Sequence, residues 1–524
     1  MLLRSAPLLV PRRPHRRPLA PHRWQPDLRV GAVVVITMVL VAMVSLTMGV
    51  PTPSAAAASS ASAPAPPQAG RIAWTACPNN GGLQCGSVVV PLDYAHPSGS
   101  TISLAVTRKP AADPAHRIGV LLFNPGGPGE SGNQILPVVL GLLPPAVVSR
   151  FDIVSFDPRG TGASDPLQCG TSPSAVTSVL PVPSRPGQPL PGTSVFTAMA
   201  HACTDRHPDL TASLTSETTA RDMDRIRAAL GVKQISYLGL SYGTVLGTLY
   251  ADLFPHRVRT MVLDGGVDVN ASLATQAADE APAAERSLQH YLANCAAQPS
   301  CPLGADPTAT FTSLRDQLES HPLPAPGNGD NDPVTVGDLD TATLFALSAP
   351  AFTPSYPTAL LDALHGDGTP LRQLALELDE DISDAPLVDA SWAITCNDFA
   401  SHLTPMAAGA QARSLAARYP LIGGYAVTYN LGGCVTWPKS PDAINHLHPD
   451  HAPRLLVIGN VGDPNTPLVG SRHLAGAFNA ATLVTWEGWG HTWLLNGSSD
   501  RCMVDVVNGY LIHEHLPKSG TQCR

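Results

Sequence analysis

Apolar and polar positions follow two rhythms along this chain. Ile118–Phe123 and Phe151–Phe156 are near-continuous apolar runs of strand length, the pattern of strands buried on both faces. Ser87–Leu92, Thr101–Thr107, Gln234–Leu240 and Thr260–Leu263 read as further strands. Thr218–Leu230 has helical spacing, with Met223, Ile226 and Leu230 on one face, and Thr244–Phe254 reads as a second helix. Strands alternating with helices imply a mostly parallel sheet covered on both faces. The alternation stops at Gly265. It resumes at Arg454–Ile458, followed by a helix near Leu468–Phe478, a strand Thr482–Trp486 and a last helix from Asp500. The roughly 185 residues between read as helices and loops inserted into the sheet domain, and no internal repeat is visible.

The amino-terminal end has a different character. Residues 1–29 are basic and proline-rich, and Val30–Val50 runs 21 residues without a charge. An Ala/Ser tract follows, suited to signal-peptidase cleavage, so residues 1–58 read as a signal peptide. The apolar run also matches a bilayer of ~30 Å, which makes a retained anchor the competing reading. Residues 59–70 read as a Pro/Ala/Ser linker.

Composition agrees with export and excludes one class of partner. Without the first 58 residues the chain carries 25 basic against 40 acidic side chains, a net charge near −15. Such a body repels phosphate backbones, so no nucleic-acid partner is expected. The ten cysteines all lie beyond the apolar run, and an even count in an exported chain reads as up to five disulfides. Close spacings suggest Cys77–Cys85, Cys295–Cys301 and Cys502–Cys523, leaving Cys169–Cys203 and Cys396–Cys434, although spacing does not fix connectivity. Zinc spacing is absent, and His446, His448 and His451 read as a polar loop. No metal or cofactor is expected.

The chemistry concentrates at strand ends. Gly239-Leu-Ser241-Tyr-Gly243 joins a buried strand to a helix, a turn that strains the serine backbone and aims Ser241 out of the sheet edge. The Tyr242 N–H then sits at a helix N-terminus, where partial positive charge collects. Upstream, Asn124-Pro-Gly-Gly-Pro-Gly129-Glu-Ser-Gly132 follows another strand and offers a second backbone donor to an oxyanion, with Gly127 favoured over Gly126. Asp157, in Asp157-Pro-Arg-Gly160-Thr-Gly162, reads as a brace for that loop. A nucleophilic serine needs a base and an orienting acid. Asp463, after the strand Arg454–Ile458, and His491, beyond the strand Thr482–Trp486, supply them in the order Ser, acid, His.

With these motifs the chain resembles the secreted α/β-hydrolases of the actinobacterial tripeptidyl aminopeptidase family, relatives of the proline iminopeptidases. The resemblance covers most of residues 72–524. It includes Cys85-Gly with Val90-Pro-Leu-Asp-Tyr94, Asn124–Gly132, Asp157–Gly162, Gly239–Gly243 and Asn294-Cys295 to Cys301. It continues through Ile394-Thr-Cys396-Asn-Asp398, Cys434-Val-Thr-Trp-Pro438, Gly462–Pro467, Gly490-His491 and the Cys502 to Cys523 tail. It implies an α/β-hydrolase fold, with core residues 71–267 and 451–524 and a helical cap over 268–450. It also implies Ser241, Asp463 and His491 as the triad. Where this chain has Glu130, many members of the family carry a small residue.

Two activities follow as expectations. The first is a secreted or cell-surface serine exopeptidase releasing short peptides, tripeptides foremost, from free N-termini. Such an enzyme needs a carboxylate for the substrate ammonium. Glu130 and Asp398 are the nearest motif-linked acids, each read first as a structural brace and second as the substrate-binding amine anchor. The second is an esterase or lipase on acyl or cell-wall lipid esters, because one triad serves both leaving groups. Membrane or cell-wall association is expected only through the N-terminal segment.

Overall fold

A computed structural model describes residues 70–524, apart from 79–81, 327–331, 381–386, 401, 441–442, 445–446 and 448–451. The expected export segment, the linker to residue 69, and His446, His448 and His451 lie outside the described residues. Among those described, no helix is long and apolar enough to cross a membrane.

Ten strands form a single sheet: β1 (Thr75–Ala76), β2 (Gln84–Pro91), β3 (Thr101–Lys109), β4 (Gly119–Asn124), β5 (Phe151–Phe156), β6 (Ile235–Leu240), β7 (Val258–Asp264), β8 (Leu455–Gly462), β9 (Ala481–Trp489) and β10 (Gln522–Cys523). Their spatial order is β1-β2-β3-β5-β4-β6-β7-β8-β9-β10. The pairings among β1, β2, β3 and β5 are antiparallel, and every pairing from β5 to β10 is parallel. Consecutive residues of the central strands point to opposite faces. Leu121 and Phe123 of β4 pack with Leu238, Val262 and Ile458, while Val120 and Leu122 pack with Val154, Tyr237 and Met261 on the other side.

The strands and helices expected from periodicity are present, with shifted ends. β8 runs to Gly462 and β9 to Trp489, so each carries the chain almost to its candidate residue. The two-residue strands β1 and β10 are too short to leave a periodic signal. Between β7 and β8 the chain forms helices, from Leu273–Ala296 to Tyr425–Leu431. These have a core of their own, with Leu288, Phe311, Leu339, Leu360 and Leu371 buried together. Two buried ion pairs, Arg315–Asp340 and Arg372–Asp338, lie within it, the second at 2.6 Å.

The roof over the sheet edge has a second contributor that the sequence reading did not separate. Between β5 and β6 lie helices Pro173–Thr177, Thr193–Arg206 and Pro208–Ser213. Phe196 of the middle helix packs against Trp392 of the inserted segment, ring centres 5.9 Å apart. Half of the residues of helix Thr193–Arg206 are apolar but only Phe196, Met199, Ala200 and Cys203 are buried, so no one-sided apolar stripe stands out in its sequence.

All ten cysteines are paired, in the combinations the spacings suggest. Cys169–Cys203 closes the segment between β5 and β6, and Cys396–Cys434 joins helix Leu387–Asp398 to the turn after Tyr425–Leu431. The latter closes a 38-residue loop. Replacing both Cys396 and Cys434 by Ser should therefore destabilise the protein by about 4 kcal/mol through restored unfolded-chain entropy. Urea unfolding measures this as a lowered midpoint; an unchanged midpoint would show that the loop is held by packing alone.

Candidate active site

The β6-to-helix turn holds Ser241 at φ 54°, a left-handed conformation that costs ~1–3 kcal/mol for a residue with a side chain. Two bonds fix it. The Ser241 N–H donates to Asp264 O at 2.8 Å, and Thr244 Oγ1 donates to Ser241 O at 2.6 Å. The flanking glycines are required by packing: a Cβ at Gly239 would stand 2.4 Å from Gly243 O, and one at Gly243 would stand 2.8 Å from Asn124 O.

The loop after β4 lies against this turn. Gly126, at φ 107°, comes so close that a Cβ there would sit 2.6 Å from Leu240 O and 2.9 Å from Tyr242 N. Its own N–H is taken by Asn124 Oδ1 at 3.0 Å. The Gly127 and Tyr242 N–H groups have no hydrogen-bond partner among the described residues. Both residues line the same cavity as Ser241, as two donors for an oxyanion must. Asp157 braces the loop from behind. Its Oδ1 accepts from Ser131 Oγ at 2.6 Å and Asn133 N at 3.1 Å, and its Oδ2 accepts from Ala163 N at 2.9 Å.

At the ends of β8 and β9 the structure brings Asp463 and His491 together. His491 Nδ1 lies 3.0 Å from each Asp463 oxygen. The Asp463 carboxylate is wholly buried, and it accepts the N–H groups of Asn465 and Thr466 at 2.9 Å and of Thr492 at 3.1 Å. Thr466 Oγ1 adds a donor at 3.1 Å and lies 3.2 Å from His491 Nδ1. So satisfied, the carboxylate stays in place under the imidazole and leaves Nε2 as the free ring nitrogen. Burial, the largest single influence, lowers the His491 pKa, but the charge and hydrogen bond of Asp463 together with the nearby Asp264 and Glu130 carboxylates outweigh it and the net shift is upward. His491 and Ser241 face the same cavity without a hydrogen bond between them; such contacts often tighten only when substrate binds.

Asp264, at the end of β7, went unnoticed in the sequence. Its carboxylate accepts the N–H groups of Trp493 and Leu494, both at 2.9 Å, which anchors the segment after His491. Burial pushes its pKa up to about 7.

The cavity above these groups encloses about 370 Å³. Phe196, Leu344, Phe345, Val388, Trp392 and Phe399 form its apolar wall, and Glu130, Glu280, Tyr429 and Asn430 line its polar side. Glu280, on helix Leu273–Ala296, accepts a 2.6 Å hydrogen bond from Asn430 Nδ2, and burial pushes its pKa up to about 8. No motif flags it, since an acid on an alanine-rich helix reads as a surface residue.

The two acids expected to meet a substrate separate. Glu130 lines the cavity. Asp398 does not: it is fully buried behind Tyr242, accepting the Tyr242 hydroxyl at 2.6 Å on one oxygen and the Ser216 N–H at 2.8 Å on the other. With both oxygens engaged, Asp398 supports the residue after Ser241 and has nothing to offer a ligand. The described groups of possible metal ligands each include disulfide-bonded cysteines, whose sulfurs are already used.

Two outcomes check this geometry. The value of kcat/KM should rise with pH through a His491 pKa above the usual ~6.5, because only neutral imidazole accepts a proton and the net shift is upward. Asp463→Asn should retain the fold and lower kcat on the order of 10⁴-fold, since an amide neither fixes the tautomer nor stabilises imidazolium. A loss under tenfold would transfer the orienting role to another acid.

Comparison with known proteins agrees with the architecture. A family model described as the alpha/beta hydrolase fold matches residues 119–498. The serine protease Hip1 of Mycobacterium tuberculosis is 33% identical over 485 residues, covering 87% of this chain and 92% of that protein. Carboxylesterase B of the same species is 30% identical over 467 residues, covering 84% and 86%. The tripeptidyl aminopeptidase of Streptomyces lividans is 30% identical over 449 residues, covering 82% and 81%. The chain belongs to the α/β-hydrolase family.

Proposed function

We propose that this protein is an exported serine peptidase that removes short peptides, tripeptides foremost, from free amino termini. Ser241 Oγ attacks the scissile carbonyl carbon while His491 Nε2 takes its proton. The carbonyl oxygen becomes an oxyanion between the Gly127 and Tyr242 N–H groups. As the intermediate collapses, the C–N bond breaks, His491 gives its proton to the leaving amine, and an acyl-enzyme remains. Water, deprotonated by His491, then releases the peptide and restores Ser241.

The observation that carries this reading is a buried carboxylate in the cavity. Glu280, with Asn430 beside it, lines the same space as Ser241 and His491, and its charge is costly there without a cation. A substrate ammonium takes the place of the proton that burial keeps on Glu280. The names of two relatives, a serine protease and a tripeptidyl aminopeptidase, support the same activity. An ester substrate is the second reading, favoured by the apolar wall around Phe345 and Trp392 and by the carboxylesterase relative. Five disulfides and the N-terminal signal pattern support an extracytoplasmic location. If the apolar segment is retained, it attaches the enzyme to the membrane.

A charge-assisted hydrogen bond of ~1.5–3 kcal/mol to the terminal ammonium sets the expected effects. Acetylating a tripeptide substrate should lower kcat/KM by roughly 10–150-fold. Glu280→Gln should produce a similar loss on the free peptide and almost none on the acetylated one. Equal rates on free and acetylated peptides, with faster cleavage of long-chain esters, would replace the peptidase reading by the esterase one.

A further inference from the structure

Glu130 has a setting unlike that of Glu280. It stands three residues after Gly127 in the loop that presents the candidate oxyanion donor. Its Cγ lies 3.4 Å from where a Cβ on Gly127 would be, so the side chain lies over that glycine. Among the described residues its carboxylate has no hydrogen bond and no ion pair, and it lines the cavity with Ser241 and His491. The loop is held firmly: besides the bonds to Asp157, a Cβ on Gly129 would already touch Ser391 N at 3.3 Å on helix Leu387–Asp398. Glu130 therefore places an unpartnered acid in the cavity over the glycine that presents a candidate oxyanion donor.

That position has a consequence for catalysis. Negative charge grows on the carbonyl oxygen as Ser241 attacks. Two like charges ~6 Å apart at an effective dielectric of ~20 disfavour each other by about 100-fold in rate. Burial already pushes the Glu130 pKa up, and a charge there opposes reaction of a neutral substrate, so a cation beside the carboxylate offsets both costs. A group so close to the carbonyl reaches only the residue being attacked, whose α-nitrogen is two bonds from that carbon.

We propose that Glu130 forms a cation subsite beside the scissile bond, selecting an alkylammonium on the residue whose carbonyl Ser241 attacks. Two sources share that chemistry: a free α-ammonium on that residue, or a lysine side chain there. The inference rests on the peptidase reading for its serine chemistry; a lysine there fits the release of tripeptides, whereas a free α-ammonium there would mean the release of single residues.

The test compares wild type with Glu130→Gln on two pairs of p-nitroanilides. Alanine against N-acetylalanine probes the α-ammonium, and Ala-Ala-Lys against Ala-Ala-norleucine probes the side chain. Titration with a fluorophosphonate counts folded, reactive Ser241 in both proteins, so that rates are expressed per working site. Wild type should prefer the cationic member of at least one pair by about 10–150-fold. In the variant that ratio should fall towards one, through a loss on the cationic member and a raised rate on the neutral one. The pair that responds identifies the source. Ratios that persist in Glu130→Gln, or equal losses on both members, would overturn the subsite. The same pairs as p-nitrophenyl esters keep the comparison separate from the peptidase reading: a collapsed ester ratio supports the subsite even if anilides are refused.

Discussion

The backbone at Ser241 is the constraint on which the rest of the site depends. A left-handed serine persists only where its surroundings leave no alternative, and here three strands supply them. β6 delivers the residue, β7 accepts its N–H through Asp264 O, and the loop after β4 lies close enough that Gly126 cannot bear a side chain. The same crowding that strains Ser241 brings the Gly127 and Tyr242 donors to one cavity wall. The candidate nucleophile and oxyanion donors are thus consequences of one packing arrangement.

Asp264 extends this coupling to His491, the candidate base. Its main chain holds Ser241, and its side chain holds Trp493 and Leu494, immediately after His491. Asp463, buried and supplied with three backbone donors, fixes the other side of the imidazole. A buried carboxylate without such donors would cost several kcal/mol and would tend to hold a proton. The turn Asp463–Thr466 and the Thr492 N–H therefore matter as much to the dyad as the acid itself.

Much of this was legible because it lies at the ends of strongly periodic strands. Ile118–Phe123, Phe151–Phe156 and Gln234–Leu240 are buried on both faces and announce themselves, and the glycine-flanked Ser241 and the order Asp463, His491 follow at their edges. The cavity was far less legible. Helix Thr193–Arg206 carries too narrow an apolar stripe to stand out, yet Phe196 forms part of the wall. Glu280 became a cavity residue only through the packing of helices distant in sequence, and nothing local distinguishes it from a solvated acid. Asp398 shows the converse: closeness to a motif suggested a ligand-facing role, whereas its carboxylate is used up by Tyr242 and Ser216.

The central claim is that an acid-lined, cap-covered cavity over Ser241, His491 and Asp463 reads the amino end of a peptide. The most direct measurement is a crystal structure of the enzyme trapped at Ser241 by a tripeptidyl phosphonate with a free amino terminus. The account predicts a phosphonyl oxygen on the Gly127 and Tyr242 N–H groups and the ammonium within ~3 Å of the Glu280 carboxylate. A peptide whose amino end runs out to solvent, with the Glu280 carboxylate untouched, would contradict it.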